Sequence, residues 1–138
     1  MSISASIRDW FSECPLLEEF RALFVDYLDD TESYTIEFTP TEPIIKRYID
    51  GSTLRCLQFS FCSREQYDGL ANIDTSAFYE KFAEWLENCN QKKDLPSLED
   101  GKEAQSIKAL TQGYLYDESG KYCQYRIQCE FIYYQEAI

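Results

Sequence analysis

The sequence predicts an α+β fold: a largely antiparallel sheet, two main helices packed against it, and a long C-terminal β-hairpin. Three observations carry this. Along residues 121–135, Cys123, Tyr125, Ile127, Cys129, Phe131 and Tyr133 alternate with Gln124, Arg126, Gln128 and Glu130. That is the period-two signature of a strand with one buried face. Two other stretches have helical spacing, with apolar residues at i, i+4, i+7 and i+8. The stretches that read as strands are mostly separated by short turns, which favours antiparallel pairing.

Taken in order, residues 2–12 read as the first helix. Ser2 can cap it, and Ile3, Ile7, Trp10 and Phe11 form one face. Cys14-Pro15 ends it, because a residue before proline avoids the helical region. Residues 19–28 are open to two readings: Phe20, Leu23, Phe24 and Tyr27 suit a helix, whereas Leu23, Val25 and Tyr27 alternate and favour a strand from about Ala22; the polar turn Asp29-Asp30-Thr31-Glu32 follows. Tyr34, Ile36 and Phe38 alternate with Thr35, Glu37 and Thr39 in a further strand. Pro40 and Pro43 bracket a connection, residues 44–49 form a short strand, and Asp50-Gly51-Ser52 is a turn.

Residues 53–62 read as the central strand. Leu57, Phe59 and Phe61 share one face, and Leu54, Cys56, Gln58, Ser60 and Cys62 the other. A strand partly apolar on both faces is usually covered on both, by a helix, a second sheet or a neighbouring subunit. Asp74 or Thr75 can cap a second helix running to about Asn90, with Phe78, Phe82, Trp85, Leu86 and Cys89 inward and Glu80, Lys81, Glu84 and Glu87 towards water. A polar loop with Pro96 and Gly101 leads into the hairpin, residues 104–117 and 121–135, joined by Asp117-Glu118-Ser119-Gly120. Residues 1–138 read as one domain, without repeats.

Composition narrows function. The chain has 138 residues, enough to bury a core without a staple. At 44% hydrophobic and 16% aromatic it is too apolar to be disordered. The 11 Tyr suit either strands or a surface buried only on assembly. A net charge of −12 disfavours nucleic-acid and anionic-membrane binding over a broad surface. The acids either keep the chain soluble or line a passage through which DNA slides without sticking. The start shows no basic segment followed by an apolar run, and no stretch approaches the roughly 20 apolar residues of a membrane helix.

The six cysteines read as reduced, half-buried thiols. Cys56 and Cys62, like Cys123 and Cys129, lie six residues apart on a strand, about 20 Å, too far to share one ion. A cross-strand approach of Cys56 to Cys129 is geometrically open. With no histidine, Ser-His and Cys-His nucleophiles are excluded. Asp26, Asp29, Asp30 and Glu32 lack the spacing and glycine of a calcium loop, and no GxGxxG or Walker-type phosphate loop occurs. The sequence therefore offers no catalytic, cofactor-binding or metal site. What it offers is surplus strand surface. Gln124, Arg126, Gln128 and Glu130 either face water or meet a neighbour, and Leu23, Val25 and Tyr27 mark a candidate edge for strand addition.

Three segments together carry a family resemblance: PIIKRYIDGSTLRCLQFSFCSREQYD (residues 43–68), FYEKFAEWLENCN (78–90) and QSIKALTQGYLYDESGKYCQYRIQCEFIYYQ (105–135). With the CPLL and SYTIE pieces nearer the start, they resemble tail-terminator proteins, also filed as minor capsid or head–tail joining proteins, of phages and phage-tail-like particles from Gram-positive bacteria. No single motif is diagnostic; the order and spacing are what resemble. The resemblance implies a non-enzymatic virion protein of the tail, assembled in the bacterial host cytoplasm, with no cofactor. It implies a homo-oligomer, a hexameric ring capping the tail tube, with the tube protein and a head-completion or connector protein as partners. DNA would pass through without specific binding, and no membrane would be involved. Alternatives are another neck or tail-completion protein, or an acidic mimic of DNA.

Overall fold

The computed structural model describes residues 2–17, 23–25, 33–66, 69–119 and 122–137. The chain is α+β: among the described residues, two helices lie on a largely antiparallel open sheet of seven strands. The elements are α1 (Ile3–Ser12), β1 (Leu23–Val25), β2 (Tyr34–Thr39), β3 (Ile44–Arg47), β4 (Thr53–Gln66), α2 (Gly69–Lys92), β5 (Lys102–Ala109), β6 (Tyr114–Ser119) and β7 (Tyr122–Gln135).

Two 14-residue strands form the axis. β4 and β7 pair antiparallel without a register shift from Thr53↔Gln135 to Gln66↔Tyr122. Each carries two shorter strands on its outer side. β4 takes β2 and then β3, and β7 takes β5 and then β6. β1 completes one edge, parallel to β2, the exception to the antiparallel pattern.

Both flanks are interrupted for local reasons. Between β2 and β3 stand Pro40 and Pro43, which cannot donate to a ladder, although the Pro43 carbonyl still accepts from the Cys56 amide at 2.8 Å. Between β5 and β6 stand residues 110–113, where the predicted single hairpin arm is in fact two strands. The Leu110 amide donates to the Gln128 carbonyl at 2.7 Å, and the Thr111 hydroxyl accepts from the Gln128 amide at 3.2 Å. Side chain thus replaces backbone where the strand breaks. β6 also runs to Ser119, past the predicted turn at Asp117; Gly120 lies outside the described residues.

Both helices lie on one face. From α1, Phe11 meets Phe59 and Phe61 at 5.8 and 5.7 Å, and Trp10 meets Trp85 of α2 at 4.7 Å. Phe82 of α2 stacks on Phe61 at 4.5 Å, and Phe61 and Phe82 are fully buried. Removing a buried ring of this kind costs about 3–5 kcal/mol. Ser2 caps α1, its hydroxyl accepting from the Ala5 amide at 3.1 Å.

The inward stripe of α2 is as predicted at Phe82, Leu86 and Cys89, and Glu80, Lys81, Glu84 and Glu87 are exposed. The helix nevertheless begins at Gly69, ahead of the predicted caps, and ends at Lys92. Asp74 is exposed inside it, where a cap-type side chain is tolerated because water satisfies it. Lys93 follows with φ +60, the left-handed conformation that closes many helices. β4 extends four residues past the predicted Cys62, because Ser63–Gln66 find partners on β7 that alternation alone does not reveal. At the candidate edge, Leu23–Val25 form the described strand, and the remainder of residues 22–28 lies outside the described residues.

Tyr79, which sequence periodicity passes over, ties helix to sheet. It is buried, its hydroxyl lies 2.7 Å from the Ser63 hydroxyl, and it donates to the Tyr125 carbonyl at 3.2 Å. Its ring side also abuts Gly113, where an added Cβ would stand 2.4 Å from the Tyr79 Cβ. The break between β5 and β6 therefore needs glycine for close approach to α2. Gly113→Ala is expected to destabilise the fold by about 1–3 kcal/mol, read as a lower midpoint in urea or thermal unfolding. An unchanged midpoint would show that α2 yields at no cost.

Candidate assembly surface

The second face of the sheet is built by register. Opposite Phe59 and Phe61 point Cys56, Gln58, Ser60 and Cys62 of β4, and beside them Gln124, Arg126, Gln128 and Glu130 of β7. Thr35, Glu37 and Thr39 of β2 and Ser106 and Lys108 of β5 share this face. Among the described residues no helix or strand covers it, so neither the helix nor the second sheet expected as cover for β4 lies on this side. The side chains cover one another instead.

Arg126 is the centre of that arrangement. Cys62 is its direct neighbour across the β4–β7 ladder, and its Nη2 pairs with the Glu37 carboxylate on β2, so the pair spans β4. The Cys62 thiol donates to the same carboxylate oxygen at 3.8 Å and is fully buried. The guanidinium also stacks on the Tyr116 ring, 3.7 Å from its centroid. Tyr116 sits where β6 shifts register between Leu115 and Asp117, and such bulges re-aim side chains. Only 15% of the Arg126 side chain is exposed, and its buried Nε has no hydrogen-bond partner among the described residues. A half-covered ion pair of this kind is poor evidence of net stabilisation, but removing one partner strands the other.

The other predicted surface residues divide between this face and the edge. Gln128 is exposed and its Nε2 reaches the Tyr114 hydroxyl at 3.4 Å. Glu130 pairs with Lys108 at 3.8 Å, and Gln124 is half-buried. Leu23 is buried, and its carbonyl accepts from Arg8 Nε at 3.2 Å; Val25 is half-buried. Tyr27 lies outside the described residues. The structure thus brings Gln124, Arg126, Gln128 and Glu130 together and puts Leu23 and Val25 on a separate edge. At the opposite edge, the Asn90 side chain accepts from the Ile107 amide at 3.2 Å, which blunts β5. Glu37 and Tyr116 escaped sequence reasoning, because their meeting with Arg126 depends on strand order and a bulge.

All six cysteines are free and buried. Cys56 faces away from the helices and Cys129 faces them, so the cross-strand approach left open by the sequence does not occur. Among the described residues no three His, Cys, Asp or Glu side chains are placed to hold a metal ion. The acidic stretch Asp26, Asp29, Asp30 and Glu32 lies outside the described residues. No helix among those described is long and apolar enough to cross a membrane.

Burial keeps the thiols protonated. It pushes Cys14 and Cys56 up to about 11 and Cys62 to about 12, and it raises Cys129 further still. For Cys62 the nearby Arg126 opposes this and Glu37 reinforces it. Native protein at pH 8 is therefore expected to leave its thiols unlabelled by a maleimide over minutes, with all six labelled in denaturant. The folded state also holds these protons more tightly than the unfolded chain. Stability is then fully present below pH 9 and declines as pH rises towards 12. Rapid native labelling, or flat stability between pH 9 and 11, contradicts this burial.

No protein-family model matches the chain, and no curated protein matches it in sequence.

Proposed function

We propose that this protein is a structural ring subunit that caps a phage-type tail tube, ends its growth and offers a surface for joining the head. The observation that carries the reading is the helix-free sheet face. It is a broad, laterally braced surface of polar and aromatic side chains with no covering layer among the described residues. A fixed surface of this kind suits recognition by shape, and its Tyr and Arg are the residue types enriched where proteins meet. The order and spacing of the three segments that resemble tail terminators supply the tail context.

Capping in this reading is geometric. A tube grows because each ring presents a surface complementary to the next. A terminator matches the tube on one side only, so addition stops. Ring closure needs a head-to-tail contact whose rotation closes on itself. The net charge of −12, with Glu80, Glu84 and Glu87 exposed along α2, discourages adsorption of DNA that passes through. The subunit performs no reaction.

The test is assembly with tube subunits from the same particle. Native mass spectrometry and negative-stain images of the mixture are expected to show rings of this protein at tube ends and tubes that stop elongating. Unaltered tube growth in the presence of excess folded protein would sink the proposal.

A further inference from the structure

The helix-free face, bare among the described residues, is large enough to hold a partner. It is four strands wide along its whole length, because β4 and β7 each carry a flanking strand at both ends. With 14-residue strands, about 3.4 Å per residue and about 4.8 Å between strands, it spans on the order of 900 Å². A stable interface takes about 800 Å² from each partner.

Both ends of this face are apolar or aromatic. Register places Leu54 of β4 and Ile132 and Tyr134 of β7 on it, and all three are only half-buried. Tyr48, 39% exposed, packs on Tyr134 with ring centroids 6.2 Å apart. At the other end Tyr114 and Tyr116 stand against Gln128 and Arg126. Tyrosine and arginine are the residue types found where proteins meet.

Charge and shape single out a second copy as the occupant. Copies of a chain with a net charge of −12 repel one another over most of their surface. The outer side of α2 is an example, with Glu80, Glu84 and Glu87 exposed against Lys81. The helix-free face differs, because its charges balance. Arg126 pairs with Glu37 and Lys108 with Glu130, and register sets Lys46 and Arg64 there against Glu103 and Asp117. Two such faces approach without net repulsion. Sheets also twist with one hand, and two sheets pack face to face when their twists match. A second copy brings an identical twist.

We infer that two copies pair through their helix-free faces, so that the two sheets form a sandwich with the helices outermost on both sides. Full overlap of a face with its own copy puts the two-fold axis through the centre of that face. The centre lies at Ser60↔Gln128, midway between Thr53↔Gln135 and Gln66↔Tyr122. Gln128 is exposed, and packed sheets lie about 10 Å apart, so the two copies of Gln128 face each other across the axis. This pairing goes beyond the ring reading and does not rest on it. It belongs to the free protein, from which a tube end using the same face would displace the second copy.

The chain is tested alone, without tube subunits. Sedimentation equilibrium is expected to rise from the monomer mass of 16.2 kDa to twice that value with concentration. Gln128→Cys is expected to be linked to its own copy by a short bis-maleimide within minutes, while the six native thiols are buried and stay silent. Glu84→Cys, on the outer side of α2, is the control and is expected to remain unlinked. Gln128→Glu sets like charges across the axis and is expected to raise the dissociation constant about ten-fold. Both positions are exposed, so circular dichroism is expected to stay unchanged. A wild type that is monomeric at every concentration overturns the pairing. So does a dimer that Gln128→Cys fails to lock, that Glu84→Cys locks equally well, or that Gln128→Glu leaves as tight as before. None of these outcomes involves tube capping, so the pairing and the tail reading stand or fall separately.

Discussion

The unbroken pairing of β4 with β7 sets the rest of the molecule. Every strand except β1 attaches to one of these two, and both helices pack on the aromatic face they share. Because side chains alternate with period two, one residue of slip of β7 against β4 would turn Ile127 and Phe131 away from α1 and α2 and bring Arg126 under them. The cost of burying Arg126 against aromatic rings makes that slip prohibitive. The same pattern that builds the core therefore fixes which side chains appear on the opposite face.

That opposite face is ordered from within. Arg126 reaches over β4 to Glu37 and is stacked by Tyr116, so three strands are braced by one side chain. A surface held this way presents much the same shape before and after a partner arrives, which lowers the entropy lost on association.

Much of this was legible in the sequence because it depends on local pattern. The alternation from Cys123 to Tyr133, the capped first helix and the stripe from Phe82 to Cys89 all appear as read. What was not legible depends on residues far apart in the chain. The break at 110–113 exists because Gly113 meets Tyr79 and Thr111 meets Gln128. Strand character past Cys62 comes from β7, and the start of α2 at Gly69 lies ahead of residues that look like caps. Of the surface, the sequence reveals that Gln124, Arg126, Gln128 and Glu130 share a face, but not that Glu37 and Tyr116 join them. Alternation says nothing of strand order.

The separation of β4 from β7 along the chain has a consequence for biosynthesis. Thr53 pairs with Gln135, and α2, β5 and β6 intervene. A nascent chain therefore displays Phe59 and Phe61 with β2 beside them but without their β7 neighbours until Tyr122–Gln135 has left the ribosome. Contacts this distant in sequence slow folding and prolong the exposure of sticky intermediates. Abundant negative charge then serves the newborn polypeptide as well, because mutual repulsion keeps unfinished copies apart while β7 is being made.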